Sequence, residues 1–444
     1  MSDDEAPPAS ATAERAHRQE RSDRPTPNTY LFALTDGGGT VPPELGVARR
    51  LVERGHRVTL LVDESMTDQA RRTGARVRPW TSSQTETLRD WEMRTPTSLA
   101  RGLAEAMIAG PAPEQAVDTV AAIDEFRPGL VLTSAFAVGA MIAAEARGVP
   151  FDVLMPNVYA LPAKGMPPFG AGLAPARGPL GRVRDRAFGA AGVRLFDRYT
   201  LAPINAVRAA HGLAPIATTW NQMQHASRQL VLTSSAFDFP AELPANARYV
   251  GPVLDDPSWA ADETWTPHDG DGPLVLVAMS STFQNHVECL QRITDALGEL
   301  PVRGVVTTGP ALRPDAIRAP ANVSVVASAP HRLVMQEASV VVTHGGHGTV
   351  IKALAAGLPL VILHHGRDQA DNAVRVTARG AGIAVPRRAP SRRIAAAVAE
   401  VLGDDRYRQA AAKLGEAVAR DAAGTALVDE LEGPAWDQAS STIT

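Results

Sequence analysis

From Tyr30 onward the chain alternates short apolar runs with stretches of helical period. "YLFALTDGGG" is an apolar run that ends at glycines, and "PELGVARRLVERGHRVTLLVD" supplies a helix and the next strand, so the pattern opens on a βαβ unit. The alternation continues through "PGLVLTSAFAVGAMIAAEARGVPFDVLM" and closes with "QLVLTSSAFDF" and "ARYVGPVL". A second series opens at "LVLVAMSSTF", passes through "VRGVVTTG" and "NVSVVASAP", and reaches "SVVVTHGGHGT". Apolar strands separated by helices predict parallel sheets covered on both faces, hence two doubly wound α/β halves. Between the halves, "DDPSWAADETWTPHDGDGP" is rich in Asp, Pro and Gly and reads as a linker. The expected organisation is a polar, disordered tail over 1–27, a first domain over 28–254, a linker over 255–272 and a second domain over 273–444, its last helix packing back on the first domain. Open parallel sheets bind ligands at their carboxyl ends, so both halves are expected to aim loops into a shared cleft.

Two segments of the first half break the pattern. Residues 160–182, "ALPAKGMPPFGAGLAPARGPLGR", hold too many Pro and Gly for a regular element and predict a long surface loop. The following "VRDRAFGAAGVRLFDRYTLAPINAVRAAHG" is helical in period and rich in arginine, which predicts a solvated helix face or, as the alternative, weak contact with a membrane surface.

Bulk composition narrows the classes. The 444 residues carry a net charge of −4 with 45% hydrophobic and 21% charged residues, as in ordinary globular proteins. No stretch approaches the roughly eighteen apolar residues of a membrane span. The N-terminal "MSDDEAPPASATAERAHRQERSDRPTPN" has no apolar core and is not read as a secretory signal. The single cysteine, Cys289, leaves no internal disulfide and no thiolate cluster, and fits the reducing cytoplasm. Without an excess of positive charge, nucleic acid is not an expected partner. A monomer or homodimer is expected.

The stretch with most chemistry is "VVTHGGHGTVIKALAAGLPLVILHHGRDQADNA", Val341 to Ala373. Ser339 to Thr343 is a β-branched strand, a glycine turn follows, and Thr349 opens a helix that runs to Gly357. A helix starting beyond the end of a buried strand points unpaired N–H groups and its positive dipole end into the cleft, where an anion fits. Gly345, Gly346 and Gly348 permit close approach of backbone to ligand. Nineteen residues beyond Thr349, after the strand "LPLVIL", Asp368 and Gln369 present a carboxylate beside a carboxamide, a pair suited to adjacent hydroxyls of a sugar. His347 reads as a turn residue. His364 and His365 are adjacent, so on a strand end they point apart, and with no carboxylate or thiolate set beside them a metal site is not predicted.

The segments from "SAPHRLVMQEASVVVTHGGHGT" to "GRDQADNAVRVTARGAGI" resemble the donor-binding signature of family 1 glycosyltransferases of the GT-B fold, in particular the macrolide and natural-product enzymes of actinomycetes. The likeness runs over most of the chain from Tyr30. It implies an inverting, metal-independent transfer of a sugar from a dTDP- or UDP-sugar to a small hydrophobic acceptor such as a polyketide or macrolide aglycone, with no cofactor beyond the nucleotide sugar. It also implies an acceptor-binding first domain and a nucleotide-sugar-binding second one. By match to the motif, His344, Gly346, Gly348 and Thr349 would hold the diphosphate, Asp368 and Gln369 the sugar, Ser281 a phosphate, and His331 would lie beside the base. Independently, a departing nucleoside diphosphate gains negative charge, so donors fixed at its oxygens lower the barrier. His344 could supply an N–H either neutral or as imidazolium, which a nearby phosphate favours.

Three departures from the family pattern stand out. The family's base histidine, in a Gly-His-x-x-Pro pattern, is replaced by Thr40 in "DGGGTVPPELG". The aspartate that would orient it falls on Ser134. The glutamate that grips ribose hydroxyls is Lys352, which favours a deoxyribose donor. Threonine is no base near neutral pH, so the expected substitute is Asp36, its pKa raised by burial at the cleft, or else an acceptor acidic enough to need little deprotonation. Trp80, Trp91, Met93, Phe136, Met155, Tyr159, Met166 and Phe169 are the candidates for an apolar acceptor pocket. A nucleotide-sugar epimerase of the same fold, or a catalytically silent nucleotide-sugar-binding partner protein, are the competing readings.

Overall fold

The computed structural model describes residues 28–433 apart from 82–87, 94, 258–259, 261–264 and 266–269. The expected tail over 1–27 and much of the linker lie outside the described residues. The first half is built on β1 (Thr29–Ala33), β2 (Arg57–Val62), β3 (Arg76–Pro79), β4 (Leu130–Ser134), β5 (Phe151–Met155), β6 (Arg228–Val231) and β7 (Ala247–Tyr249). They form one parallel sheet in the order β3-β2-β1-β4-β5-β6-β7. The second half holds β8 (Leu274–Ala278), β9 (Arg303–Thr307), β10 (Val323–Val326), β11 (Ala338–Thr343), β12 (Leu360–Ile362) and β13 (Gly382–Ala384), parallel in the order β10-β9-β8-β11-β12-β13.

Strand alternation explains the burial. In the second sheet Leu274, Leu276 and Val341 face one core, while Val275, Val277, Val340 and Val342 face the other. In the first sheet Tyr30, Phe32 and Leu132 pack on one face and Leu31, Ala33 and Val131 on the opposite one. The central strands β1, β4, β8 and β11 are covered on both faces, which is why these runs are continuously apolar. Strand order reverses between β1 and β4 in one sheet and between β8 and β11 in the other, and crevices for ligands open at such switch points.

The halves are tied together at several places. Arg375 pairs with Asp238 at 2.7 Å with both side chains essentially inaccessible, and Arg379 donates to the carbonyls of Ala236 and Asp238 at 2.9 and 2.5 Å. The final helix, Ala426–Glu432, buries Leu427 and Leu431 in the first half's core, and Tyr30 Oη donates to the Leu431 carbonyl at 2.9 Å. At the start of the linker, Asp255 pairs with Arg49 and Arg50 of the first half and Asp256 with Lys352 of the second. The Pro- and Gly-rich loop reaches across as well: the N–H groups of Gly170 and Gly172 donate to Asp371 at 2.5 and 3.0 Å. The arginine-rich segment is a helix, Gly178–Ala210, which begins within the segment read as loop and leaves Leu180, Val183 and Phe188 exposed. No helix among the described residues is long and apolar enough to cross a membrane.

Candidate active site

The glycine turn follows β11 directly. Gly345 has φ 93°, and a Cβ there would lie 2.8 Å from Ile362 Cγ2 and 3.1 Å from the Gln369 carbonyl, so glycine alone fits. The helix begins at His347, two residues earlier than the pattern predicts, because Gly346 turns out of helical geometry and serves as its N-cap. Thr349 therefore lies inside the first turn. His347 is the first helical residue, buried with its ring 5.8 Å from that of Phe237. His344 is buried, and its pKa is pushed down to about 3 by burial and then by His365, His286 and the charge of Arg367. It is a neutral imidazole; the imidazolium alternative is not met in the free protein.

The loop after β8 is the second wall. Ser280 Oγ accepts from the Thr282 N–H at 3.2 Å and from Gln284 Nε2 at 2.9 Å, which curls the loop and leaves Ser281 at its tip. Ser281, Thr282 and Phe283, with Pro310 and Ala311 beyond β9, line an open cavity of about 430 Å³ to which the first half contributes Arg89 and Trp91. Trp91 meets Phe283 edge to face at 5.2 Å across the halves.

The β1 loop of the first half comes up against both walls. A Cβ at Gly38, where φ is 71°, would lie 2.7 Å from Thr282 Cγ2, and one at Gly348 would lie 4.0 Å from the Gly39 carbonyl. Strand-end loops of the two sheets thus meet at the turn that carries Thr40. Next to the glycine turn, Asp368 is partly buried and accepts from Asn372 Nδ2 at 2.7 Å, and the same amide reaches the Gly345 carbonyl at 2.9 Å.

Two sheets of this order, with the strand-end loops of each meeting across a cleft, can be compared with known proteins. Over 417 residues the chain is 31% identical to 4'-demethylrebeccamycin synthase of Lentzea aerocolonigenes, covering 91% of this chain and 98% of that protein. This chain belongs to the natural-product glycosyltransferase family. Residues 291–433 match the erythromycin biosynthesis protein CIII-like C-terminal domain. A PGL/p-HBAD biosynthesis rhamnosyltransferase of Mycobacterium bovis (strain BCG / Pasteur 1173P2) is 31% identical over 315 residues, 68% of this chain and 66% of that protein. Among solved structures, the kitacinnamycin glycosyltransferase superposes with a TM-score of 0.72 at 23% identity, covering 93% of this chain and 99% of the other. The calicheamicin glycosyltransferase gives 0.70 at 23% identity, with 92% and 98% covered. These likenesses establish the GT-B fold.

Within this glycosyltransferase, several expected site residues have other surroundings than the sequence led one to expect. Asp36 is exposed and not buried at the cleft as expected; it accepts from the Gly38 N–H at 2.9 Å and from Ser65 Oγ at 2.6 Å. Gln369 is 1% exposed, and its carboxamide is engaged by the protein. The amide oxygen accepts from the N–H groups of His365 and Gly366 at 2.7 and 3.2 Å, and the amide nitrogen donates to Gln284 at 2.9 Å. Lys352 donates to Asp256 at 2.7 Å. His331 contacts Thr307 Oγ1 at 3.2 Å, its pKa pushed down to about 4 by burial, with Lys352 adding to the effect and Asp256 opposing it.

The acceptor candidates separate into three kinds. Trp80, Met155, Tyr159 and Met166 are core side chains of the first sheet; Trp80 Nε1 donates to the Leu34 carbonyl at 3.0 Å and Tyr159 Oη to Gln229 at 3.0 Å. Phe136 packs partly buried against a neighbouring helical cluster. Phe169 is exposed on the long loop, and Trp91 lines the cavity described above. His364 is exposed, while His365 Nδ1 lies 2.8 Å from the Leu363 carbonyl.

Sequence reasoning missed Glu44. It sits one turn into the helix that follows Thr40, is 1% exposed, and accepts a hydrogen bond from Ser134 at 2.8 Å. Burial lifts its pKa to about 8, the Ser134 bond opposing and Asp36 adding to the rise. An acid in a first helical turn is expected for dipole reasons alone, so the pattern gave no sign that this one is buried. Arg367, Asn372 and Gln284 were missed for a related reason: their partners lie far away in sequence.

Proposed function

We propose that this glycosyltransferase moves a sugar from a nucleoside diphosphate, dTDP or UDP, to a hydrophobic small molecule of the polyketide or macrolide kind, with inversion at the anomeric carbon. The observation that supports the reading is the meeting of the Gly38–Thr40 turn with the Ser281–Thr282 loop and the His344–Thr349 turn, which brings strand-end loops of both halves to one cleft. Two neighbours of the same fold support the donor class: a spinosyn rhamnosyltransferase complexed with thymidine diphosphate, TM-score 0.65, and another glycosyltransferase in complex with dTDP, also 0.65.

The acceptor's nucleophilic atom attacks the anomeric carbon as the bond to the diphosphate oxygen breaks. The electron pair of that bond leaves with the nucleoside diphosphate, and the acceptor's proton passes to a carboxylate or to solvent. Neutral His344 and the N–H groups of the glycine turn donate to the oxygens on which charge accumulates, and they are already in position before the bond breaks. Ser281 supplies a hydroxyl from the opposite wall, His331 lies toward the base, and Asp368 reaches the sugar. Asp36, exposed at the end of β1, is the carboxylate proposed to take the proton. Proposed acceptor contacts are confined to Trp91, Phe136 and Phe169. The reaction needs no metal or further cofactor, and its setting is the cytoplasm.

Incubating the purified protein with dTDP- and UDP-sugars and a panel of aglycones tests this, with mass spectrometry and the anomeric coupling of the product as readouts. The expected result is aglycone plus one sugar, inverted, with free nucleoside diphosphate. Isomerised donor without transfer would mean an epimerase, and donor binding without turnover would mean a silent partner; either overturns the proposal.

A further inference from the structure

Arg367 stands between Gly366 and Asp368 with φ 56°, in the left-handed region that disfavours a side chain with a Cβ. Such a conformation is strained and persists only where surrounding contacts hold it. The contacts here come from both halves. Nε donates to Asp90 Oδ2 at 2.7 Å, Nη2 to Asp90 Oδ1 at 3.4 Å, and Nη1 to Thr282 Oγ1 at 3.2 Å. The Asp90 carboxylate is 12% exposed, and Arg367 30%. Asp90 lies between Arg89 and Trp91, the first-half residues that line the cavity with Ser281 and Thr282. The same guanidinium is close enough to act on the ionisation of buried His344. Arg367 thus lies among the β8 loop, the glycine turn and Asp368.

The other groups proposed for the diphosphate are uncharged: His344 is a neutral imidazole, and Ser281, Thr349 and the backbone N–H groups are neutral donors. A guanidinium offers a planar fork of donors that matches phosphate oxygens and keeps its charge at any working pH. We propose that Arg367 is the cation of the diphosphate site, with Asp90 as its resting counter-ion, displaced when a nucleoside diphosphate binds. This rests on the donor reading above. The exchange replaces one anion by another at the guanidinium, so Asp90 competes with the ligand, and donor entry severs an ion pair between the halves.

Titration calorimetry on the full chain separates the two readings. The probes are dTDP and UDP, with thymidine and uridine as their uncharged counterparts. Arg367→Gly, which suits the left-handed backbone, should weaken nucleoside diphosphate binding by roughly ten- to a hundredfold while leaving nucleoside binding unchanged. Arg367→Lys, which keeps the charge and loses the fork, should fall between. Asp90→Asn should tighten diphosphate binding several-fold, and that gain should vanish in the Arg367→Gly background. Unchanged diphosphate affinity in Arg367→Gly, or an equal loss for the nucleoside, overturns the assignment of Arg367. An Asp90→Asn protein that binds no tighter overturns the counter-ion role. Parent protein that binds neither diphosphate overturns the donor reading itself, and this one with it.

Discussion

Ser134 Oγ donates to Glu44 Oε2 at 2.8 Å and accepts the Thr35 N–H at 3.1 Å, so one hydroxyl joins the ends of β1 and β4 to the helix behind Thr40. Where the family pattern has a histidine and an aspartate, this enzyme has a threonine and a serine, with the serine bonded to a buried carboxyl. Glu44 titrates near 8 in the folded chain against an ordinary value of 4.5. The folded state therefore holds this proton more tightly than the unfolded one. The contribution to stability is fully present below 4.5 and is lost as pH rises from there through 8. Glu44→Gln keeps the shape and removes the ionisation. Its stability relative to the parent should grow between those pH values, by up to a few kcal/mol at roughly 1.4 kcal/mol per pH unit. Chemical denaturation of both proteins at a series of pH values checks this, and a flat difference would show that Glu44 is ionised in the fold.

Asp36→Asn tests the proton acceptor separately. Asp36 is exposed, its carboxylate bonds within its own turn and to Ser65, and its contact with Asp63 at 2.7 Å is made by the backbone N–H, so the substitution should leave folding and nucleoside diphosphate binding unchanged. Transfer to an alcohol acceptor should fall by about a hundredfold or more, the range of a general base. A phenolic or carboxylic acceptor should suffer less. Unchanged rates on alcohols would move the proton to another group.

His344→Ala removes a neutral N–H donor from the leaving group and should lower turnover by roughly a hundred- to a thousandfold. His344→Gln, which retains an N–H, should recover part of it. Because burial and Arg367 hold the imidazole's pKa near 3, the rate should show no inflection from this residue between pH 5 and 8. A pH–rate profile of the parent that loses an inflection near neutrality in His344→Gln would contradict this.

Much of this architecture could be read from the chain. Among the described residues β2, β4, β8, β9, β11 and β12 are rich in Val, Leu and Ile and end at glycine or polar turns, and local pattern fixes both their type and the position of the His344 turn. What could not be read depends on pairs remote in sequence. Gln369 was assigned to a sugar because it follows Asp368, yet its partner Gln284 lies 85 residues away, and only the fold brings the two side chains together. Trp80 and Tyr159 carry the same aromatic signal as Trp91, but whether an aromatic fills a core or a cavity depends on which loop covers it. The helix start shifted by two residues because Gly346, rather than the threonine, leaves helical geometry first.

Gln369 also supplies a stability test that a sugar contact alone would not. Gln369→Leu leaves the N–H groups of His365 and Gly366 and the amide oxygen of Gln284 without partners. Each unsatisfied buried group costs about 1–3 kcal/mol, so the loss should be visible as a lower melting temperature without any ligand. Gln369→Glu keeps the acceptor oxygens for the two N–H groups but faces Gln284 with a second acceptor, which that amide can meet by turning over. It should therefore melt closer to the parent than Gln369→Leu. Equal melting temperatures for parent and Gln369→Leu would restore the carboxamide to the sugar alone.

The ion pair between Arg375 and Asp238 gives the strongest expected effect. The carboxylate also accepts from the N–H of Tyr159 at 2.8 Å, the N–H of Phe239 at 2.7 Å and Tyr249 Oη at 2.9 Å, while the guanidinium lies 4.5 Å from the centre of the Phe239 ring. Arg375→Met preserves much of the volume but strands a buried carboxylate, at a cost of about 3–5 kcal/mol. Asp238→Asn combined with Arg375→Met removes both charges and keeps a polar group for the neutral donors, so it should regain a large part of that loss. Because Asp238 belongs to the first half and Arg375 to the second, the single variant should also expose the segment between them to a protease sooner than the double one. Melting temperature and limited proteolysis of the parent, single and double variants measure both effects; a single variant as stable and as resistant as the parent would show that Arg379 and the loop at Gly170 and Gly172 hold the halves together unaided.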